Sequence, residues 1–425
     1  MHPQPPYDQA VVARHGWVQA LITVLVTLIA MGVVAALGLW AAGAAGLPDN
    51  AFPRVVAASV VTAVGGTVEL AGGAGGLAGS RAGLTVIPLS VTLTGALVLG
   101  AGFLRPLRHR AVAGGRELAG WAARIAVLWL LALLAVAYAA RQTFKVSLGD
   151  DTLNDLGDVF GVSPEVGFTT DVPRTLLFGL LWMAGVLVLA LLVSPRAPLP
   201  GRLLRLQESV RPPAHAMVVL LLAHVVLGTL VALVVAVTRG HAPETLAVIL
   251  LGMPNLVWLT LTVGLGATWN GRVDGPFGLP MPHLLDEVLR SSDTATLNLG
   301  TLAEHDGRIW WLVVVEAVLL LSVAFLTAAR SPARVHAWQH AVHLAVALAL
   351  TVLMICLMGR ISAHYGLSVL GIGDLGGGLG GKLFLTPQLW SAVGLGALWG
   401  LVAGFLGALL AQPVRRKGEI EPRQA

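Results

Sequence analysis

The sequence predicts an all-α polytopic membrane protein with about eight transmembrane helices, and three observations carry that prediction. Of the 425 residues, 56% are hydrophobic and only 12% are charged, and the mean hydropathy is +0.81. Long apolar runs recur along the chain, and arginines cluster in the short segments between them. Soluble proteins carry about 25% charged residues, so this composition excludes a soluble globular enzyme. It also excludes a disordered chain, which requires low hydrophobicity.

Eight apolar segments are long enough to cross a bilayer, which takes about 20 residues in a helix. They are 17–41, 84–104, 119–140, 174–194, 215–237, 309–328, 338–358 and 387–411. Residues 1–16 form a polar N-terminal tail. The first segment has about 25 apolar residues, whereas a signal peptide has an apolar region of 7–15. We therefore interpret it as a retained transmembrane helix.

Two further apolar segments are interrupted. Segment 54–76 contains Gly65-Gly66 and Glu69, and segment 246–268 contains Pro254-Asn255. Proline removes a helical hydrogen bond, and asparagine needs polar partners of its own. We predict that both are re-entrant or half-inserted segments.

The arginines and lysines of short loops predict the orientation, because such loops remain in the cytoplasm. Basic residues concentrate in loops 105–118, 195–214 and 329–337 and in the tail after 412. Loop 145–173 is acidic and is predicted to lie outside. Since 195–214 and 329–337 share a side, the chain must cross an even number of times between them. Segment 246–268 should therefore enter and return. Both termini are predicted to lie in the cytoplasm, and the membrane is predicted to be the plasma membrane.

The order of these segments predicts an internal tandem repeat. Each half has one helix, one interrupted segment and then three helices. The predicted divisions are a tail at 1–16, a first repeat at 17–194, a cytoplasmic linker at 195–214, a second repeat at 215–412 and a tail at 413–425. With four crossings in each half, the two repeats would be parallel, as in some transporters. Five crossings in each would make them inverted.

Several short motifs, taken in order, resemble the streptophobe family of very hydrophobic actinobacterial membrane proteins. They are Ala63-Val64-Gly65-Gly66-Thr67-Val68, the segment 87–97, Val166-Gly167-Phe168-Thr169-Thr170-Asp171-Val172, the segment 251–258 and Val263-Gly264-Leu265-Gly266. The resemblance covers roughly residues 15–412. That family has no assigned function, so the resemblance implies a class of protein and no chemistry. More remotely, 64–67, 86–89 and 251–256 are similar to the PerM family, which is linked to cell division.

Glu316 and His224 are the main candidates for a ligand or proton pathway. Glu316 lies about a third of the way into segment 309–328, and a carboxyl group in lipid marks a functional site or a pairing by default. His224 lies in the middle of segment 215–237 at a similar depth. A Glu–His pair can exchange protons near neutral pH. The alternative is that each residue makes only a structural hydrogen bond to a neighbouring helix.

Glu69 and Asn255 complete the candidate set because they occupy the two interrupted segments. Irregular backbone at membrane depth lies inside protein or beside a cavity. Two such segments at corresponding repeat positions indicate a binding site. The alternative is that both segments are short interfacial helices that cap the outer face.

No cofactor or metal is predicted, and we expect no enzyme. The run 376–382 matches a P-loop in part, but Leu383 replaces the Ser or Thr that binds magnesium, no strand is predicted before it and the loop is predicted to lie outside. His340 and His343 share a helix face without a third ligand. Residues 283–290 are predicted to form a short amphipathic helix on the outer surface.

Two classes of function remain open at this stage. A permease-like transporter of a small solute, with Glu316 as a proton-linked site, is favoured by the repeat and the interrupted segments. A non-catalytic envelope or division-associated protein that binds partners is the alternative that the PerM resemblance implies. The expected partners are the lipid bilayer and either a small solute or an envelope protein, with no nucleic acid. Gly396, Gly400 and Gly404 predict close helix packing, within the bundle or with a second copy.

Overall fold

The computed structural model describes most of the chain, and helices dominate it. The described residues are 16–47, 51–74, 78–107, 115–145, 164–194, 201–240, 242–273, 283–290, 295–331, 335–369 and 381–412. Within them, nine helices are long and apolar enough to cross a membrane. Eight of these coincide with the eight predicted segments, and the ninth, Ala242–Gly264, covers most of the interrupted segment 246–268. The prediction of an all-α polytopic membrane protein is confirmed.

The helices are numbered here in chain order, and their bounds fall within a few residues of the predicted segments, except at 84–104 and 195–214. They are α1 (Trp17–Ala41), α2 (Phe52–Ala63), α3 (Leu89–Leu104), α4 (Gly115–Ala139), α5 (Val172–Val193), α6 (Gly201–Arg239), α7 (Ala242–Gly264), α8 (His283–Arg290), α9 (Leu299–His305), α10 (Trp311–Arg330), α11 (Ala337–Met358) and α12 (Leu389–Leu410).

Eight strands form one antiparallel sheet that the sequence did not predict. They are β1 (Val68–Ala74), β2 (Ala78–Thr85), β3 (Gln142–Lys145), β4 (Pro164–Thr170), β5 (Trp269–Val273), β6 (Ala295–Leu297), β7 (Ile361–Val369) and β8 (Gly381–Pro387). Their order in the sheet is β3-β4-β1-β2-β7-β8-β5-β6. The central pair, β2 with β7, joins the first half of the chain to the second.

The sheet lies at one end of the helix bundle, which we call the sheet end. Helices α3, α5 and α12 begin just after a strand, and α4 and α11 lead directly into one. The opposite end, which we call the arginine end, has Arg105 after α3, Arg116 at the start of α4 and Arg330 at the end of α10. The basic loops 105–118 and 329–337 therefore connect helices at the same end of the bundle.

Helix α2 enters the bundle from the sheet end and stops inside it. Near its start, the Arg54 side chain donates a hydrogen bond to the carbonyl of Arg141, just beyond the sheet end of α4. Just after its last turn, Val64 lies close to Gly179, seven residues into α5. The chain then turns back into β1. Segment 54–76 is thus a half-inserted helix followed by a strand.

Helix α7 also enters from the sheet end, although it has 23 residues and could cross a membrane by length. Asn255 contacts the backbone of Leu89 at the start of α3. Ten residues later, the Leu265 carbonyl accepts a hydrogen bond from Trp399, in the middle of α12. The chain then returns to the sheet, where Trp269 pairs with Pro387. Segment 246–268 therefore ends at the sheet, and its predicted re-entrant path through the membrane stays a prediction.

The turns that follow α2 and α7 have matching backbone geometry. Gly65 and Gly266 have φ angles of +88° and +93°, a region that residues with a Cβ seldom adopt. The backbone hydrogen bonds also correspond. Each turn is closed by a bond between backbone groups five residues apart, from Gly66 N to Val61 O and from Ala267 N to Thr262 O. Each turn is also joined to the start of a later helix, by Asp171 N to Thr67 O at α5 and by Gln388 N to Thr268 O at α12.

Glycines let α12 approach α11 closely. A Cβ added to Gly396, Gly400 or Gly404 would lie 2.7–2.9 Å from atoms of α11. In lipid there is little hydrophobic drive between helices, so small residues that allow close backbone contact supply much of the packing. These glycines are therefore used inside the bundle, where α11 of the same chain covers their face of α12. Whether the chain forms a homo-oligomer stays a prediction.

Exposed tryptophans mark both ends of the bundle. At the arginine end these are Trp17 and Trp338, and at the sheet end they are Trp40, Trp310, Trp311 and Trp390. Along α1, Trp17 and Trp40 are separated by roughly 34 Å at 1.5 Å per residue. Tryptophan is enriched at both membrane interfaces, and the hydrocarbon core is about 30 Å thick. The exposed apolar side chains between these levels therefore face lipid.

Four sequence expectations need correction. Segment 84–104 begins as a helix only at Leu89, because Ala78–Thr85 is strand β2. The predicted linker 195–214 is helical from Gly201, with Pro212 and Pro213 inside α6. A strand, β7, does precede the run 376–382, although β8 rather than a helix follows its glycines. The helix at 283–290 is present, but it packs Val288 and Leu289 against the sheet rather than on a membrane surface.

Candidate functional site

His224 of α6 and Glu316 of α10 form a buried hydrogen-bonded pair. The Nε2 atom of His224 is 2.9 Å from both carboxyl oxygens of Glu316. Only 5% of His224 and 1% of Glu316 is exposed. The two residues are 92 positions apart in the sequence, and the helices bring them together at about the depth of the turn after α7. The sequence prediction that they lie at a similar depth is confirmed.

The hydrogen-bond partners fix how many protons the pair holds. The Nδ1 atom of His224 is 2.8 Å from the Leu220 carbonyl, which can only accept, so Nδ1 carries a proton. The short contact between Nε2 and Glu316 then also requires a proton, because an imidazole lone pair would repel a carboxylate. The pair is therefore imidazolium with carboxylate, or neutral imidazole with carboxylic acid.

Both of these states have zero net charge, and they differ only in which atom holds the shared proton. An isolated charge in a low-dielectric interior is costly, whereas a paired one is tolerated. Loss of the shared proton would leave a net negative charge in the bundle. In either of the two neutral states, burial of the pair leaves no net charge in the bundle.

The C-terminal end of α7 packs directly on Glu316. A Cβ added to Gly264 would lie 2.6 Å from the Cγ of Glu316, so only glycine fits there without a shift. Two indoles fix the turn that follows: Trp399 donates to the Leu265 carbonyl at 3.1 Å, and Trp269 donates to the hydroxyl of Thr262 at 3.0 Å. The acid therefore lies against the end of an inserted helix that tryptophans hold in place.

Asn255 lies apart from this pair and has a structural role. Its amide oxygen accepts from Leu89 N at 3.1 Å, and its amide nitrogen donates to Ile87 O at 2.9 Å. It thereby satisfies the backbone at the start of α3, where helical N–H groups lack partners. Asn255 and Gly264 are nine residues apart on α7, roughly 13 Å along the helix axis. The structure does not bring Asn255 to the pair.

Glu69 does not join the pair either. It lies on β1, opposite Gly83 of β2 and Thr169 of β4, and its side chain is exposed. The four candidate residues thus divide into one buried pair, one backbone bridge between the halves and one exposed sheet residue. Whether any of them contacts a ligand stays a prediction.

The first half places a neutral group where the second half has Glu316. Because Gly65 and Gly266 match, Ala63 corresponds to Gly264. The hydroxyl of Thr92 on α3 donates to the Ala63 carbonyl at 2.6 Å. A hydroxyl can satisfy a helix end but cannot exchange a proton near neutral pH. The ionisable pair is therefore a property of the second half.

Sequence reasoning missed the residues around the pair. Thr262, Trp269 and Trp399 lie in no motif, and Gly264 was noted only within the run Val263-Gly264-Leu265-Gly266. These residues meet only because the chain turns back after Gly264. The one signal was the likeness of Val64-Gly65-Gly66-Thr67-Val68 to Leu265-Gly266-Ala267-Thr268-Trp269. Aligning those runs would have indicated that the chain makes the same turn after both interrupted segments.

Neither a metal centre nor a known relative points to another site. Across the part of the chain that the structure describes, no group of three or more His, Cys, Asp and Glu side chains is arranged to hold a metal ion. No protein-family model matches the chain, and no curated protein or solved structure matches it. The resemblance to the streptophobe and PerM families stays a prediction, and the function must be argued from the site.

Proposed function

We propose that the chain is a permease-like membrane protein that moves a small solute and uses the His224–Glu316 pair to couple that movement to protons. The observation that carries the proposal is the position of the pair. It is buried in the bundle and touches the end of α7, a helix that we interpret as entering the membrane without crossing it. Broken or half-inserted helices at membrane depth form the binding sites of many secondary transporters.

The two halves of the chain support this assignment. Their elements follow in the same order, and the turns after α2 and α7 share backbone hydrogen bonds and a positive φ. We interpret them as tandem repeats with four crossings each. Transporters built from such repeats bind solute where the repeats meet. The bond from Ser90 to the Ile249 carbonyl, at 2.8 Å, shows α7 lying against the first half.

The charges and tryptophans support a plasma-membrane orientation with the arginine end and both termini in the cytoplasm. Arginines stay on the cytoplasmic side, and Arg105, Arg116 and Arg330 lie at one end. The sheet then faces outward. Glu316 is five residues from the exposed Trp311, so it lies roughly 8 Å from the outer interface along the helix.

The chemistry required of the chain is a proton transfer without covalent intermediates. With the site closed, the shared proton stays between Nε2 of His224 and the Glu316 carboxyl group. Displacement of the end of α7 away from Glu316 would admit water to the carboxyl group. The proton could then pass to that water. Solute binding near the same turn would then be linked to protonation. No nucleophile or catalytic base is needed, so the protein acts as a carrier rather than as an enzyme.

Proton entry into vesicles tests the proposal without knowledge of the solute. The purified full chain is reconstituted into liposomes that contain a pH-sensitive dye, and a potassium diffusion potential drives protons inward. We expect faster acidification than in empty liposomes. Glu316→Gln should reduce the added rate at least about tenfold, because an amide cannot release the proton.

Glu244→Gln is the matched control for this experiment. Glu244 is an exposed carboxylate at the start of α7, so its neutralisation should leave the rate unchanged. Equal rates in wild type and Glu316→Gln would show that the pair is structural. Absence of any flux in the wild type above empty liposomes would contradict the proton-linked carrier.

The second candidate is a non-catalytic envelope protein that binds partners, and the sheet favours it. Eight antiparallel strands from both halves lie together at the end that we assign to the outside. Among the strands that the structure describes, β3 and β6 lie at the two edges of the sheet, and an edge strand can accept another strand. In that case Glu316→Gln would fold normally and leave the cellular function intact, while changes in the sheet would abolish it.

A further inference from the structure

We propose that Arg54 and Arg141 form a binding site for the phosphate of an anionic phospholipid at the sheet end of the bundle. Arg54 is exposed near the start of the half-inserted helix α2, and Arg141 follows α4 after two residues. Neither residue belongs to the His224–Glu316 site. The inference is therefore independent of the proposed transport function.

The first support is that the structure places the Arg54 side chain against the backbone of Arg141. Arg54 donates from Nη1 to the Arg141 carbonyl at 3.2 Å, so its guanidinium group lies beside the Arg141 backbone. The Arg141 guanidinium lies over the ring of Tyr138, 4.7 Å from its centroid. Both arginines therefore lie at one place on the sheet end, where an anion that reached both guanidinium groups would gain two charge-assisted contacts.

The second support is that neither charge is neutralised within the described residues. No carboxylate among them forms an ion pair with Arg54 or Arg141, whereas the nearby Arg174 pairs with Asp171 at 3.2 Å. The Nε atom of Arg141 is buried and makes no hydrogen bond within that part of the chain. A buried donor without an acceptor costs about 1–3 kcal/mol in proteins generally. Nε and the terminal nitrogens of a guanidinium suit an oxyanion such as phosphate.

The third support is the position of this arginine pair at the membrane interface. Tyr138 is 58% exposed on α4, and Trp40 is 62% exposed at the sheet end of α1, which packs against α2. Both aromatic rings are typical of the headgroup level. The anion available at that depth is the phosphate of a phospholipid headgroup, and guanidinium groups bind phosphate well.

The test measures thermal stability of the purified full chain in detergent, with added phosphatidylglycerol, phosphatidylcholine or inorganic phosphate. A ligand that binds the folded state raises the melting temperature. We expect phosphatidylglycerol to raise Tm by about 3 °C and phosphatidylcholine to raise it much less. The double variant Arg54→Gln with Arg141→Gln should lose the shift.

Arg174→Gln is the matched control, since Arg174 lies at the same end but already has a carboxylate partner. It should keep the full shift. The double variant Arg54→Lys with Arg141→Lys keeps both charges and should retain part of the shift, which separates loss of binding from loss of folding. An undiminished shift in the Gln double variant would overturn the site. An equal shift with inorganic phosphate would uphold the phosphate chemistry and overturn the lipid as its source.

Discussion

At the scale of single residues, the His224–Glu316 pair should cost stability when either member is removed alone. Truncation of one partner leaves the other polar group buried without a hydrogen bond, and breaking buried pairs costs about 3–5 kcal/mol in proteins generally. We expect His224→Leu and Glu316→Leu each to lower the melting temperature in detergent by several degrees.

The double variant His224→Leu with Glu316→Leu should recover most of that loss, because two apolar side chains of similar volume can replace a buried pair at little cost. The melting temperatures of the wild type, the two single variants and the double variant together measure how strongly His224 and Glu316 stabilise each other. Additive losses in the double variant would mean that the two side chains do not stabilise each other.

Gly264 makes a separate prediction about the same site. A methyl group there would lie within 2.6 Å of the Glu316 Cγ, so Gly264→Ala must displace either the acid or the end of α7. Overpacking of this kind costs about 1–3 kcal/mol. We expect a lower melting temperature and reduced proton flux.

Gly185→Ala is the control for Gly264→Ala. Gly185 lies within α5, and a Cβ added there would have no described atom within 4 Å beyond its own helix. Alanine favours helix over glycine by about 1 kcal/mol, so this variant should be neutral or slightly stabilised. A Gly264→Ala protein as stable as Gly185→Ala would show that Glu316 has room to move.

At the scale of elements, the packing of α12 on α11 predicts different effects for two glycines of the same helix. Gly400→Ala would place a methyl group 2.7 Å from the backbone of α11, whereas Gly394 has open space around it. We expect Gly400→Ala to lower the melting temperature by several degrees and Gly394→Ala to leave it unchanged or raise it slightly. Similar behaviour of the two variants would contradict the close approach of the helices.

The helices could be predicted from the sequence because lipid imposes a strong constraint. A span must be apolar over about 20 residues and must satisfy its own backbone, so the predicted bounds of α1 and α11 lie within one residue of those observed. The positions of arginines also predict the return of α7. The apolar runs and the arginine positions can both be read from short stretches of sequence, without knowledge of distant contacts.

The sheet could not be predicted because β1 and β2 lack the usual strand signals. Residues 68–74 read Val-Glu-Leu-Ala-Gly-Gly-Ala, and glycine and alanine disfavour strands. They pair only because the helices bring their ends together, which is a property of the folded bundle. Other strands do contain strand-favouring residues, among them Phe168 in β4, Trp269 in β5 and Tyr365 in β7.

At the scale of the molecule, the path of α7 predicts which positions share a side of the membrane. In a Cys356→Ala background, single cysteines replace Glu244, Glu287 and Arg116, which are all exposed. A membrane-impermeant maleimide added to intact cells should label positions 244 and 287, and should label position 116 only after permeabilisation. Glu244 and Glu287 lie on either side of the inserted end of α7.

The same experiment has a clear opposing outcome. If α7 crossed the bilayer, Glu244 and Glu287 would lie on opposite sides, and position 244 would label together with position 116. Labelling of 116 alone in intact cells would place the arginine end outside. Either result would remove the support that orientation gives to the proton pathway.

The pairing of β2 with β7 also constrains how the chain is made. β7 follows β2 by about 275 residues, and ribosomes add about 5–20 residues per second. Strand β2 therefore waits roughly 15–55 s as an open edge after it is synthesised. During that interval the first half has been made, and the unpaired edge of β2 can pair with a strand of another chain. Biogenesis of this protein thus includes a vulnerable stage that ends only when the C-terminal half arrives.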